Sequence, residues 1–434
     1  MIQKHKLVNT LFILGLPVFG IGNYLMYKPG FTWTAGLVFA VIPYTAIVAF
    51  HLLDLLVRGS FTPVVNRTFL VCLAAIMSMI VSLFVGLHYH SPVLKMSNSL
   101  AMVLEFSVPL FASIIVHVYN LHRDDFDWLA LVLKSMLALE AVNLLGVAAG
   151  LHNVLHSFEG RISWPFMLGI YESAHLMAFL NLMLLFYMRD FKNRPFRFIG
   201  IIGLYLLNMA MMMSVNSRLS FMTFFAITVL FVTKAIRGLR GLYTVSLFTM
   251  PLMMSFALLI FQILSLPFFV AILERVDKED VTTFNGRTYI WESGFDWAFN
   301  DGRGLIFGNG FQGQARLNLL DHVAELWGEN DSYNIHMHSA FLQTLLGQGL
   351  VGLVLFYLVY WHGYKRYRIE YLNNTALAPA FAAFVYMLFC WQIEISFFGY
   401  NFGFVFLMLL MAPWCIKPSA VTGKRKSLTG EWLA

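Results

Sequence analysis

Residues 7–27 read LVNTLFILGLPVFGIGNYLMY, an unbroken run without a charged side chain. A helix needs about 20 apolar residues to cross the hydrocarbon core of a bilayer, so this run is long enough to span one. Two lysines, Lys4 and Lys6, precede it, which also suits the basic start of a signal peptide. The run carries no small-residue cleavage site, so a retained first helix is expected.

Stretches of the same kind recur along the chain, separated by short polar connections. Windows of about 19 residues predict spans near 8–27, 33–57, 68–88, 98–120, 127–150, 167–188, 197–214, 218–236, 243–268, 338–363, 376–395 and 400–416. Composition agrees. Of 434 residues 59% are hydrophobic and 12% charged, where soluble domains carry about 25% charged residues. The expected fold is all-α: a polytopic membrane protein of about twelve transmembrane helices.

With the N-terminus in the cytoplasm, nineteen of the 29 Lys and Arg fall in inside connections, from Lys4 to Lys426, and nine fall outside. Basic residues flank spans on the cytoplasmic side, so both termini are expected there. The net charge of +6 then reflects topology rather than a nucleic-acid partner. Cys72, Cys390 and Cys415 all lie in apolar stretches, which points away from a disulfide framework or a cysteine metal site.

One connection, 269–337, is long and rich in Asp, Glu, Arg, Asn, Gly and Trp. It divides the chain into helices 1–9 (1–268), a large periplasmic loop (269–337), helices 10–12 (338–416) and a cytoplasmic tail (417–434). A loop beyond about 15 residues in a compact protein is usually functional. Short helices lying on the membrane surface are expected at Arg287 to Phe299 and Gln314 to Trp327.

Several polar residues are not explained by insertion. Arg218 follows Asn216 and Ser217 at the outer start of a span; it either snorkels to the headgroups or binds an anion, since a guanidinium forks onto phosphate. Arg287 opens a segment with Trp291 and Trp297, whose aromatic rings suit an interfacial helix or the apolar face of a sugar. His336 and His338, in Asn-Ile-His-Met-His-Ser, stand just before a span. A histidine there can act as a general base. On helical spacing the two point about 200° apart, which disfavours joint metal binding. Glu172 and His175 lie near the outer end of another span; they either serve function or pair with each other at i and i+3. Glu140, Glu394 and Asn401 are weaker candidates. Gly308-Asn-Gly310 is read as a turn, because no strand precedes it and no P-loop lysine follows.

Taken together, these residues resemble the O-antigen ligase and Wzy-type polymerase superfamily. Its ligases carry His, then Asn, Ser or Gln, nine variable residues, Gly, two more, and Gly, Thr or Tyr; His338-Ser339, Gly349 and Gly352 match in register. Ser217-Arg218 and Gly286-Arg287 look like the family's Ser-Arg and Gly-Arg motifs. The resemblance implies a metal-independent, inverting membrane glycosyltransferase of the GT-C type, without cofactor. Its site would face the periplasm from the bacterial inner membrane, in lipopolysaccharide biosynthesis. The implied donor is a glycan on undecaprenyl diphosphate, with Arg218 and Arg287 holding the diphosphate and His338 deprotonating the acceptor; His336, Glu172, His175 and Trp291 are possible supports. The acceptor would be the lipid A core in a ligase or a lipid-linked repeat in a polymerase. The histidine pattern favours the ligase, and the Glu172-Ser173 segment leans the other way. A transporter of lipid-linked oligosaccharide is the alternative of another class; no internal repeat of the transporter kind is visible.

Overall fold

The computed structural model describes residues 3–58, 65–86, 96–152, 164–167, 169–191, 193–215, 217–255, 287–328, 332–333, 335–391, 395 and 403–416, with Glu172 and Arg218 described by their backbone alone. Asn216, Asn334, Glu394 and Asn401 lie outside the described residues.

Among the described residues fifteen α-helices follow one another: α1 Lys4–Tyr27, α2 Trp33–Arg58, α3 Arg67–Gly86, α4 Met96–Asn120, α5 Trp128–Ala148, α6 Gly169–Phe191, α7 Pro195–Val215, α8 Arg218–Val232, α9 Leu242–Ser255, α10 Arg287–Asp296, α11 Gly313–Arg316, α12 Asp321–Trp327, α13 Ala340–Asn373, α14 Ala378–Cys390 and α15 Gly403–Met411. Among the described residues, seven are long and apolar enough to cross a membrane, and shorter apolar helices stand at Ser173–Met188, Ser220–Val232, Ala378–Cys390 and Gly403–Cys415. The chain is thus an all-α polytopic membrane protein. Large apolar side chains such as Leu53, Val57, Phe196 and Val232 face outward, as they do when the solvent is lipid.

Polar groups inside the bundle join helices rather than meeting water. Asn66 donates to the carbonyls of Trp414 and Ile416, at 2.7 and 2.9 Å, and accepts from Thr68 N. Trp128 Nε1 donates to Leu409 O and Tyr367 Oη to Leu410 O. These bonds anchor α15, every residue of which is buried. On α13, Tyr360, Tyr364, Tyr367 and Tyr371 recur at helical spacing and pack on Phe381 and Phe384 of α14.

Helix α13 is broken once. Gly349 has φ 69° and ψ −174°, a region open in practice only to glycine. A break frees amides and carbonyls that must find new partners in an apolar surrounding. The turn 305–310 supplies them: Leu350 N and Val351 N donate to Leu305 O and Ile306 O, while Asn309 N and Gly310 N donate to Leu346 O and Gly347 O. Gly308-Asn-Gly310 is therefore a structural turn whose amides are already engaged.

Candidate functional site

Residues beyond 286 build a second, smaller core above the bundle. Ile290 and Trp291 of α10, Leu320, Val323 of α12, Ile335 and Met337 pack together there, apart from the main core. Helix α10 begins at Arg287 and runs into a π turn, Trp297–Asp301. The helices expected from sequence at this place are present, the second one split into α11 and α12.

The segment 335–337 is held from both sides. Trp291 Nε1 donates to Met337 O at 3.1 Å, and Gln314 Nε2 to Ile335 O at 3.0 Å. Gln343 Oε1 accepts from Met337 N while its Nε2 donates to Gln314 Oε1, both at 3.0 Å. Neither glutamine was singled out by sequence reasoning, because a glutamine in a loop or at a helix start carries no chemical signature of its own. Replacing Trp291 by phenylalanine keeps the ring and removes one donor to a buried carbonyl, at a cost of about 1–3 kcal/mol. The expected result is faster hydrogen exchange over 287–297 and 335–338; unchanged exchange would show that the bond holds nothing.

This clamp makes His338 turn with φ 45°, a left-handed conformation uncommon outside glycine but enriched in histidine. Ser339 then caps α13, its side chain accepting from Leu342 N. The helix starts at Ala340, so helical spacing does not govern the two histidines. Their rings lie 3.9 Å apart, centroid to centroid, and His338 N donates to His336 Nδ1 at 3.2 Å. The expected 200° separation is thereby corrected: an extended segment with one left-handed residue brings i and i+2 together.

Arg287 acts on His338 through its field. Burial first, and then the Arg287 charge, lower the His338 imidazole from 6.5 to about 3, because both disfavour the cation. At neutral pH this ring is neutral and able to accept a proton.

A second polar cluster joins α6, α8 and α14. His175 Nδ1 lies 2.9 Å from Tyr386 Oη and 3.1 Å from Ser220 Oγ, and Ser220 Oγ lies 3.0 Å from Ser217 Oγ. His175 thus contacts the first turn of the helix that Arg218 opens. The side chains of Glu172 and Arg218 are outside the described residues, so the alternative of a Glu172–His175 pair lies outside them too; the described contacts of His175 are to α8 and α14. The described interactions join Arg287, Trp291, His336 and His338 to one segment, 335–338, and join His175 to the start of α8 and to α14.

Arg316 was also missed. It is buried and donates to Phe311 O, Gly86 O and Ser99 Oγ, fastening α11 to the ends of α3 and α4. Glu140 is buried in α5. Among the described residues no group of three or more His, Cys, Asp or Glu is placed to hold a metal ion.

Fold and site together define a multi-pass helical membrane protein with a histidine and an arginine assembled on a folded loop. The sequence model of a family described as O-antigen ligase matches residues 203–357. The match covers about a third of the chain and supports the resemblance of this part to the O-antigen ligase and polymerase superfamily, a family of glycosyltransferase-like enzymes with lipid-linked glycan substrates. It takes in Arg218, Arg287, Trp291, His336 and His338 and leaves out Glu172 and His175. Comparison with curated proteins gives no match.

Proposed function

We propose that the protein transfers a glycan from undecaprenyl diphosphate to a hydroxyl of the lipid A core, as an O-antigen ligase does. The site would face the periplasm from the inner membrane, with both chain termini in the cytoplasm. What carries this reading is a histidine whose basicity is lowered by burial and by the charge of Arg287, both residues inside the stretch that matches the family.

In this reaction the acceptor oxygen attacks the anomeric carbon, the bond from that carbon to the diphosphate breaks with inversion, and the acceptor proton passes to His338. The diphosphate departs with its own negative charge, which Arg218 and Arg287 stabilise. No second carboxylate is needed to protonate the leaving group, unlike in a glycosidase. A base whose pKa is about 3 is weak. The bound diphosphate neutralises the Arg287 field, which raises the basicity of His338 once donor is present. The same charge compensation favours donor binding before proton transfer.

Deleting the gene in its native host and resolving lipopolysaccharide and lipid-linked glycan tests the assignment. Polymer accumulating on undecaprenyl diphosphate with bare core lipid is expected. Single repeats on core or carrier would identify a polymerase, and an unchanged profile would remove both.

The lowered pKa has a kinetic consequence. A group depressed to about 3 stays neutral until the pH falls toward that value, so kcat/KM of the free enzyme should show no acid limb near 6.5. In Arg287→Gln the residual activity should show that limb at higher pH, since one of the two depressing causes is gone. A wild-type limb at 6.5 would show that His338 is exposed and unperturbed.

A further inference from the structure

The turn 303–310 does more than close the break in α13. Its Ile306 and Phe307 are 57% and 48% exposed, a pair of large apolar side chains on what the sequence presents as a polar loop. Their height follows from backbone bonds. Ile306 O accepts from Val351 N, and Gly310 N donates to Gly347 O. On the other flank, a Cβ at Gly86 would meet Asn309 O at 2.2 Å, and one at Gly310 would meet Leu83 Cα at 3.3 Å. The turn therefore sits level with the last turn of α3.

Helix α3 has 20 residues, a length of about 30 Å at 1.5 Å per residue, equal to the hydrocarbon thickness. Its last turn marks the edge of that layer. Helix α13 has 34 residues, more than a span requires, so its part before Gly349 need not lie in hydrocarbon. Next to the turn, Leu350, Val351 and Val354 on α13 and Val81 and Phe84 on α3 are all exposed apolar residues of span helices. Ile306 and Phe307 continue that lipid-facing surface. The ion pair of Arg303 with Asp301, at 2.6 Å and exposed, supplies a charged rim three residues earlier in the chain.

We propose that the turn 303–310 is a membrane wedge, with Ile306 and Phe307 seated among lipid acyl chains at the edge of the leaflet facing the loop. Bilayer lipid is the partner because the patch is continuous with the surface that α3 and α13 already present to lipid. A free apolar patch in water has the opposite effect, promoting association. The inference concerns membrane seating and does not depend on the reaction.

Single cysteines at Ile306, Phe307, Val354 and Glu325, each carrying a nitroxide in proteoliposomes, test it. Val354 is the lipid-facing reference and Glu325, exposed on α12, the aqueous one. The ratio of collision with oxygen to collision with a water-soluble nickel complex is expected to be several-fold higher at 306 and 307 than at 325. Ratios nearer to that of Glu325 overturn the proposal, and so does protection from both collision partners, which a covering protein segment would produce.

Discussion

Alanine in place of His338 is expected to lower transfer by about 10²–10⁴-fold, the usual contribution of a general base, with normal insertion and expression. The residue lies just before the span helix that starts at Ala340, and the clamp on 335–337 uses backbone groups and the side chains of Trp291, Gln314 and Gln343. Alanine at Arg287 or Arg218 is expected to lower transfer severely as well, to a residual rate, by leaving the departing diphosphate short of a cation. The measurement is transfer of lipid-linked glycan in membranes normalised to protein content. Full activity in all three variants would sink the catalytic assignment. Loss in His338→Ala alone would keep the base and move diphosphate binding elsewhere.

Gly349→Ala is expected to have the largest structural effect. A Cβ there would lie 2.2 Å from Ile306 O and 2.3 Å from Ile306 C, and both atoms belong to backbone that is hydrogen-bonded to α13. Relief by a side-chain rotation is therefore impossible. The backbone conformation alone costs a non-glycine residue about 1–3 kcal/mol. Escape by straightening α13 would strip Leu305, Ile306, Asn309 and Gly310 of their partners. The variant should show a lower unfolding temperature in detergent and rapid proteolysis within 300–312. Gly308→Ala should do the same, since its Cβ would meet Gly347 O at 2.3 Å. Wild-type stability in both would show that the turn is not locked to the helix.

Gly349 and Gly352 belong to the pattern that begins at His338, and the structure explains why a histidine motif would contain them. Gly349 permits the break, and the break gives the turn 305–310 its seat. At Gly352 a Cβ would meet Gln348 Cβ at 2.3 Å and Ser78 Oγ at 3.3 Å, so this position lets α13 approach α3. The pattern thus joins the histidine proposed as the base to the packing that fixes the helix following it.

Hydropathy by itself determined the class of protein and, among the described residues, the places of its long apolar helices, because water-to-lipid transfer acts on every residue of a span and sums over some twenty of them. It also singled out Arg287 and His338, since polar groups beside a membrane are costly and therefore conspicuous. Only the tertiary structure decided how these residues meet. The contact of His336 with His338, the depressed pKa of His338, the clamp of Trp291, Gln314 and Gln343, and the turn locked onto Gly349 each depend on a few directional bonds between segments distant in the chain. Such bonds leave no periodicity or composition to read, and a glutamine or a glycine looks the same in the sequence whether or not it makes them.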